Sequence, residues 1–69
     1  MRVLIYDVQA DRYFQSAETW TSDPALATDF KGTVKAVTAA FLCRLKNVDV
    51  ILDFEEAQLK MHLPLPAGG

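Results

Sequence analysis

Apolar and polar positions alternate in two short segments at the start of the chain. Residues 2–8 (RVLIYDV) are rich in β-branched and aromatic side chains, and the polar residues 9–11 follow them. This composition over so short a run predicts a strand that ends in a turn. Residues 12–16 resume after hairpin spacing and could continue through Glu18 to Trp20. We therefore expect an antiparallel hairpin.

The first strand is apolar on both of its faces. Its side chains divide into Val3 and Ile5 on one side and Leu4, Tyr6 and Val8 on the other. Strands of this kind are usually covered on both faces. Because one helix can cover only one face, we expect apolar surface here that a single helix does not hide.

The only tryptophan, Trp20, lies just before a helix-start signal. Asp23 can accept a hydrogen bond from a free N–H of the first helical turn, and Pro24 has no N–H to leave unpaired. A helix of one or two turns is predicted, with Leu26, Ala27 and Phe30 facing Trp20. We interpret Trp20 and Phe30 as core anchors, since truncation of a buried tryptophan costs about 3–5 kcal/mol. The alternative is that Trp20 is an exposed binding residue.

A longer helix is predicted after Gly32, with Thr33 as its N-cap and Asn47 as its terminating residue. Its bulky apolar positions are Val34, Val37, Phe41 and Leu45, with Leu42 at their edge. Their spacing places them on one helical face, which we expect to contact the sheet. Phe41 is then a third core anchor.

The opposite side of this helix carries small apolar residues, namely Ala36, Ala39, Ala40 and Cys43. A solvated helix face is normally polar, so this row would permit close approach of a second packed element. The alternative is that alanine is the best helix former and tolerates exposure.

The C-terminal third alternates again. Residues 48–54 (VDVILDF) predict a half-buried strand. After an interruption at 55–57, Leu59, Met61, Leu63 and Leu65 alternate up to the region of Pro64 and Pro66, and this segment is a further strand or an arm. Residues 67–69 are expected to fray.

These elements predict an α+β fold. It is a two-layer sandwich in which a small, mostly antiparallel ββ-α-β sheet, with a possible fourth C-terminal strand, carries the main helix on one face and a short helix precedes it. Residues 1–66 form one domain. A chain of 69 residues buries only about 60% of its unfolded surface, and small domains often gain burial by pairing with a second copy.

Composition narrows the class of protein. A hydrophobic content of 51% excludes disorder, and a single cysteine cannot form an internal disulfide. A reducing, cytoplasmic location is expected. No apolar run approaches the roughly 20 residues of a membrane span, and no secretory leader pattern is present. The net charge of −2 disfavours nucleic acid as a partner.

The residues that could carry chemistry are few. Cys43 and His62 form the sole possible Cys–His pair, and the middle of a helix does not stabilise a thiolate. Asp7 could lie near Asp49 or Asp53, but a solvated acidic face that blunts edge pairing is preferred. We predict no catalytic residue, no metal ligand and no cofactor, and therefore no enzyme.

Two resemblances add to this interpretation. Trp20-Thr21-x-Asp23, followed by Ala27-x-x-Phe30, a helix and a Val-x-Val-x-Leu strand, resembles a loose group of small bacterial and phage proteins; the shared motif is structural and implies no activity. The hairpin and the Gly32-Thr33 helix start are also similar to HicB-type antitoxin domains. The chain departs from that family because it lacks the Pro-Asp-x-Pro-Gly stretch and an appended DNA-binding segment.

We therefore predict a non-enzymatic protein-interaction or accessory domain that acts as a homodimer. Its surplus apolar surface comprises the second face of the first strand, the alanine-containing row of the helix, and the C-terminal segment. We expect two of these three surfaces to be buried only in the oligomer. The candidate interface is Ala36, Ala39, Ala40, Cys43, Leu59, Met61 and Leu63. The alternative function is a HicB-like antitoxin or regulatory protein that binds a small protein partner.

Overall fold

One antiparallel sheet holds every strand in the computed structural model, which describes residues 1–16 and 18–65. The elements in chain order are β1 (Arg2–Asp7), β2 (Arg12–Ser16), β3 (Thr19–Thr21), a 3₁₀ turn (Pro24–Leu26), α1 (Thr33–Leu42), β4 (Val48–Phe54), a second 3₁₀ turn (Glu55–Ala57) and β5 (Leu59–Pro64). The sheet order is β3-β2-β1-β4-β5. The α+β class is confirmed, with five strands in the sheet where the sequence suggested three or four.

The turn between β1 and β2 forms where the sequence predicts it. The Asp7 carboxylate accepts hydrogen bonds from the N–H groups of Gln9 (2.9 Å) and Ala10 (3.0 Å). Asp11 then takes a left-handed conformation with φ 56°, which aspartate tolerates better than most residues. This local bonding reverses the chain and sets β2 against β1.

The hairpin strand does not continue unbroken to Trp20. β2 ends at Ser16 and β3 begins at Thr19, and the pairing between them shifts register between Phe14 and Ser16. Such a bulge bends a strand. The segment therefore forms two short strands, and Ala17 lies outside the described residues.

β4 occupies the centre of the sheet together with β1. It pairs with β1 from Arg2↔Asp53 to Asp7↔Val48, and with β5 from Phe54↔Leu59 to Asp49↔Pro64. The C-terminal alternating segment is therefore a strand and not an arm. Residues 66–69, including the predicted frayed tail, lie outside the described residues.

The boundaries of α1 differ from the prediction at both ends. Gly32 is the N-cap instead of Thr33, and the helix ends at Leu42, five residues before Asn47. The chain leaves the helix early because Arg44 takes a left-handed conformation with φ 54°. Asn47 does adopt the predicted left-handed conformation, with φ 58°, but in the connection to β4.

The rotation of α1 about its axis is the main correction. Ala36 and Ala40 are buried (0% and 3% exposed), whereas Phe41 is 79% exposed. Phe41 is therefore not a core anchor, and these two alanines are not available to a partner. Since the sheet beneath the helix is already filled by branched side chains such as Val3 and Ile5, small residues let the helix lie close to it.

Trp20 and Phe30 pack against the core but are only partly buried. Both pack against Phe14, with ring centroids 5.4 Å and 5.6 Å away. Leu26, in contrast, is 58% exposed and does not join them. Ala27 is buried with Leu4 and Ile51 on the other face of the sheet, so neither Leu26 nor Ala27 faces Trp20 as predicted.

The second face of β1 is covered within the chain, contrary to expectation. Leu4 is fully buried with Ile51 and Ala27. The Arg2 guanidinium donates to the carbonyl oxygens of Pro24 and Ala27, both at 2.9 Å, and so fixes the covering segment. An irregular loop anchored by hydrogen bonds therefore covers this face. Since Ala36 and Ala40 are also buried within the chain, the expectation that two of the three apolar surfaces are buried only in an oligomer is wrong.

Candidate interaction surface

The sheet has two faces of different chemistry in its β4–β5 half. On the side of α1, β4 presents Val48, Val50, Leu52 and Phe54, and the paired β5 residues are Leu59, Met61 and Leu63. On the far side, the alternating residues are Asp49, Ile51, Asp53, Lys60 and His62. The apolar half therefore lies on the side of the helix.

α1 carries a bulky apolar stripe that points away from its own sheet. We call Val34, Val37, Phe41 and Leu42 the outer stripe; they are 79%, 39%, 79% and 73% exposed. Their positions i, i+3, i+7 and i+8 define one helical face, on which Thr38 is the polar member. A surface helix normally turns polar residues outward, and a helix that is apolar on both sides is typically buried.

One flank of the outer stripe leans toward β5. Val3 faces α1, and its N–H and C=O point toward residues 29 and 30. When the sheet is viewed from α1 with β1 running upward, the N–H and C=O groups of an L-residue whose side chain faces the viewer point to the right. Residues 29 and 30 therefore lie to the right of Val3, and β4 and β5 lie to the left of β1. α1 also runs upward. Val37 follows Ala36 and Phe41 follows Ala40, so the right-handed turn of the helix places both side chains on the left, toward β5.

The β5 part of the sheet, which lies beneath that flank, is largely exposed. α1 packs across β1 and β4, and Leu59 and Met61 on β5 are 54% and 46% exposed. We call Leu59, Met61 and Leu63 the β5 strip. Five strands span about 20 Å at their usual spacing, while one helix is about 10–12 Å wide. Because α1 lies over β1 and β4, the remaining width is divided between the two sides of the helix, and a second helix at the usual 8–10 Å from α1 lies over β5 and the edge of the sheet.

The exposed apolar area is large for a chain of this size. If each large side chain offers roughly 150 Å², the outer stripe with Leu59 and Met61 exposes on the order of 550 Å² of a total surface of 4730 Å². The largest apolar patch on a typical monomer is about 300–600 Å², and a standard interface takes about 800 Å² from each partner. The two surfaces together supply most of such an interface.

The far face of the sheet carries a polar and aromatic group that sequence reasoning missed. The His62 ring lies 3.2 Å from the Asp49 carboxylate and meets the Tyr6 ring edge-on at 5.9 Å. Tyr6 donates its hydroxyl to Asp11, and this hydrogen bond, with desolvation, raises the pKa of Tyr6 to about 12. Knowledge of the β1–β4 register would have revealed this group of side chains, because β1 pairs Tyr6 with Asp49 on β4.

The residues considered for catalysis or metal binding do not converge. Cys43 is exposed at the end of α1, whereas His62 lies on the far face, so the sheet separates them. Asp7 is used by the β1–β2 turn, and Asp49 and Asp53 share the far face four residues apart. Within residues 1–16 and 18–65, no three His, Cys, Asp or Glu side chains are grouped as a metal site would require.

Among the described residues, α1 is too short to cross a membrane, and no other helix is long or apolar enough.

Comparison with known proteins adds nothing to these observations. No family model, no curated protein and no solved structure matches the chain.

Proposed function

We propose that the chain is a non-enzymatic interaction domain that works as a homodimer. The observation that carries the proposal is the outer stripe of α1, whose bulky apolar side chains face away from the only sheet in the described residues. Burying a Val, Leu or Phe side chain contributes about 1.5–3 kcal/mol. A second copy supplies an identical stripe and therefore a matching apolar surface.

The proposed interface differs from the one that the sequence alone suggests. Ala36 and Ala40 belong to the core, and Ala39 packs partly against it, so the alanine row leaves the interface. Leu59, Met61 and Leu63 remain in it as the β5 strip. The outer stripe, which the sequence assigns to the core, takes the place of the alanines.

The experiment is light scattering on the eluting protein at micromolar concentration. Leu42→Ser removes one exposed side chain of the outer stripe, and Leu26→Ser is the matched control because Leu26 is also exposed but lies in the first 3₁₀ turn. We expect the natural chain and Leu26→Ser to run as dimers and Leu42→Ser to shift toward monomer. A monomeric natural chain at 100 µM would contradict the proposal.

A second candidate function rests on the similarity to HicB-type domains. α1 starts at Thr33 directly after Gly32 and follows the antiparallel β1–β2–β3 unit, and these are the features on which the similarity rests. In this alternative the outer stripe binds a different small protein, as an antitoxin binds its toxin. It predicts a chain that stays monomeric alone and forms a 1:1 complex with a small basic protein encoded beside it.

A further inference from the structure

We infer that the second copy places its α1 on the β5 strip, beside this copy's α1, so that the two helices form a middle layer between two sheets. The inference rests on the proposed homodimer and specifies its geometry. In each copy the β5 strip is an exposed apolar surface, and the outer stripe is the apolar helix surface that packs on the β5 strip of the other copy. A twofold axis parallel to the helices allows both copies to make this contact at once.

A twofold axis can pair two copies of this fold in many ways, and three of them bring the outer stripe or the β5 edge into contact. An axis across the helices stacks one helix on the other in an antiparallel arrangement, and an axis through the sheet joins the two β5 edges. An axis along the helices sets them side by side and parallel, at the usual 8–10 Å separation. Each arrangement buries a different part of the apolar surface.

The first two arrangements leave apolar side chains uncovered. Stacked helices bury the outer stripe but leave Leu59 and Met61 at their present 54% and 46% exposure. Joined β5 edges separate the helices by about four strand spacings, roughly 19 Å, so Val34 and Leu42 stay exposed. Of these three arrangements, only the side-by-side one buries parts of both the outer stripe and the β5 strip.

The heights of the two surfaces agree with this arrangement. Met61 pairs with Leu52, which pairs with Val3, so these residues share one level of the sheet. The Phe30 N–H donates to the Val3 carbonyl at 2.8 Å, which puts the start of α1 near that same level. A rotation about an axis parallel to the helices does not change a residue's position along that axis, so Val34 of one copy meets Met61 of the other.

The flank of α1 that leans toward β5 lies at the twofold axis in this arrangement. Val37, which is 39% exposed, and Phe41 therefore contact their own counterparts. Thr38 points away from its own sheet and toward the sheet of the other copy. Because the two Thr38 side chains point in opposite directions, they are far from each other.

Cysteine crosslinking separates the three arrangements. Val34→Cys, Thr38→Cys and Met61→Cys are each made in a Cys43→Ser chain, which removes the only natural cysteine, and a disulfide forms only when the Cβ atoms come within about 3.5–4.5 Å. Mild oxidation of mixed Val34→Cys and Met61→Cys chains is expected to give a crosslinked pair, whereas each of the three variants alone stays uncrosslinked.

Three results would overturn the inference while leaving the homodimer standing. A self-crosslink of Thr38→Cys indicates stacked helices, and a self-crosslink of Met61→Cys indicates joined β5 edges. If light scattering shows a dimer and no pair crosslinks, the geometry is also wrong. A monomer by light scattering overturns the proposed function itself.

A measurement on the natural chain covers the case in which a cysteine variant fails to fold. In a dimer of one ¹³C-labelled and one unlabelled copy, filtered NMR detects contacts between copies alone. We expect contacts between the Val34 methyl groups and the Met61 methyl group. Contacts between Thr38 and Thr38, or their absence between Val34 and Met61 in a dimer, would contradict the arrangement.

Discussion

Single side chains fix several turns of this fold through hydrogen bonds, and Asp29 is the clearest example. Its carboxylate accepts from the N–H groups of Val3 at 2.9 Å and Lys31 at 2.8 Å. These bonds join the start of β1 to the segment that leads into α1. Because a carboxylate accepts them better than a carboxylic acid, they lower the pKa of Asp29 below its usual value.

Asp29 is therefore expected to make stability depend on pH in the acid range. Its contribution is present above the pKa of an unfolded aspartate, near 4, and is lost as pH falls through the lower pKa of the folded state. Asp29→Asn keeps one acceptor oxygen but cannot titrate. Urea unfolding between pH 2 and pH 5 should show a shallower acid loss for Asp29→Asn, and an unchanged slope would refute this role.

Tyr6 gives a second prediction at the residue scale. The hydrogen bond to Asp11 favours the neutral phenol, so the pKa of Tyr6 is raised to about 12. The stabilising effect is present below pH 10 and is lost as pH rises through 12. In a Tyr13→Phe chain, Tyr6 is the only tyrosine, and its ultraviolet titration reports this group alone.

The control for that titration is Asp11→Asn in the same Tyr13→Phe chain. Removing the carboxylate is expected to bring the Tyr6 midpoint back toward the ordinary value of about 10. An Asp11→Asn chain with an unchanged midpoint would assign the shift to another cause.

At the scale of elements, the sequence predicts strands and turns well and helix rotation poorly. β1 and β4 follow from period-two alternation, and the β1–β2 turn follows from its polar residues. α1 has apolar residues on both sides, so periodicity alone permits two rotations. The choice depends on volume, because Val3, Ile5 and Phe14 already fill the space under the helix.

The same limit explains the other missed features. The covering of Leu4 depends on Arg2 bonding to two loop carbonyls, and such contacts between residues distant in sequence leave no periodic signal. The group formed by His62, Asp49 and Tyr6 requires the β1–β4–β5 register. The sequence identifies the apolar residues of the candidate interaction surface, but it does not show which of them face solvent.

The rotation of α1 can be tested by enlarging side chains. Ala36→Leu introduces three carbon atoms at a fully buried position, and overpacking of this kind costs about 1–3 kcal/mol. Thr38→Leu on the outward side is the control and is expected to be neutral or stabilising. Urea unfolding that shows the reverse order would mean that the alanines face solvent.

At the scale of the whole molecule, the described residues hold more apolar surface than α1 and the covering loop hide. Its hydrophobic content is 51%, and the uncovered part is concentrated on the outer stripe and the β5 strip. A chain of 69 residues has a small core. In the proposed homodimer, association would supply stability as well as an interface, and folding and dimer formation are then expected to be coupled.

The most direct test of this account is the urea midpoint of the natural chain measured at 1 µM and at 100 µM. For a dimer that unfolds to separate chains, a hundredfold rise in concentration adds about 2.7 kcal/mol of stability per dimer, so the midpoint should move to higher urea. A midpoint that is the same at both concentrations would contradict the claim that a second copy covers the outer stripe.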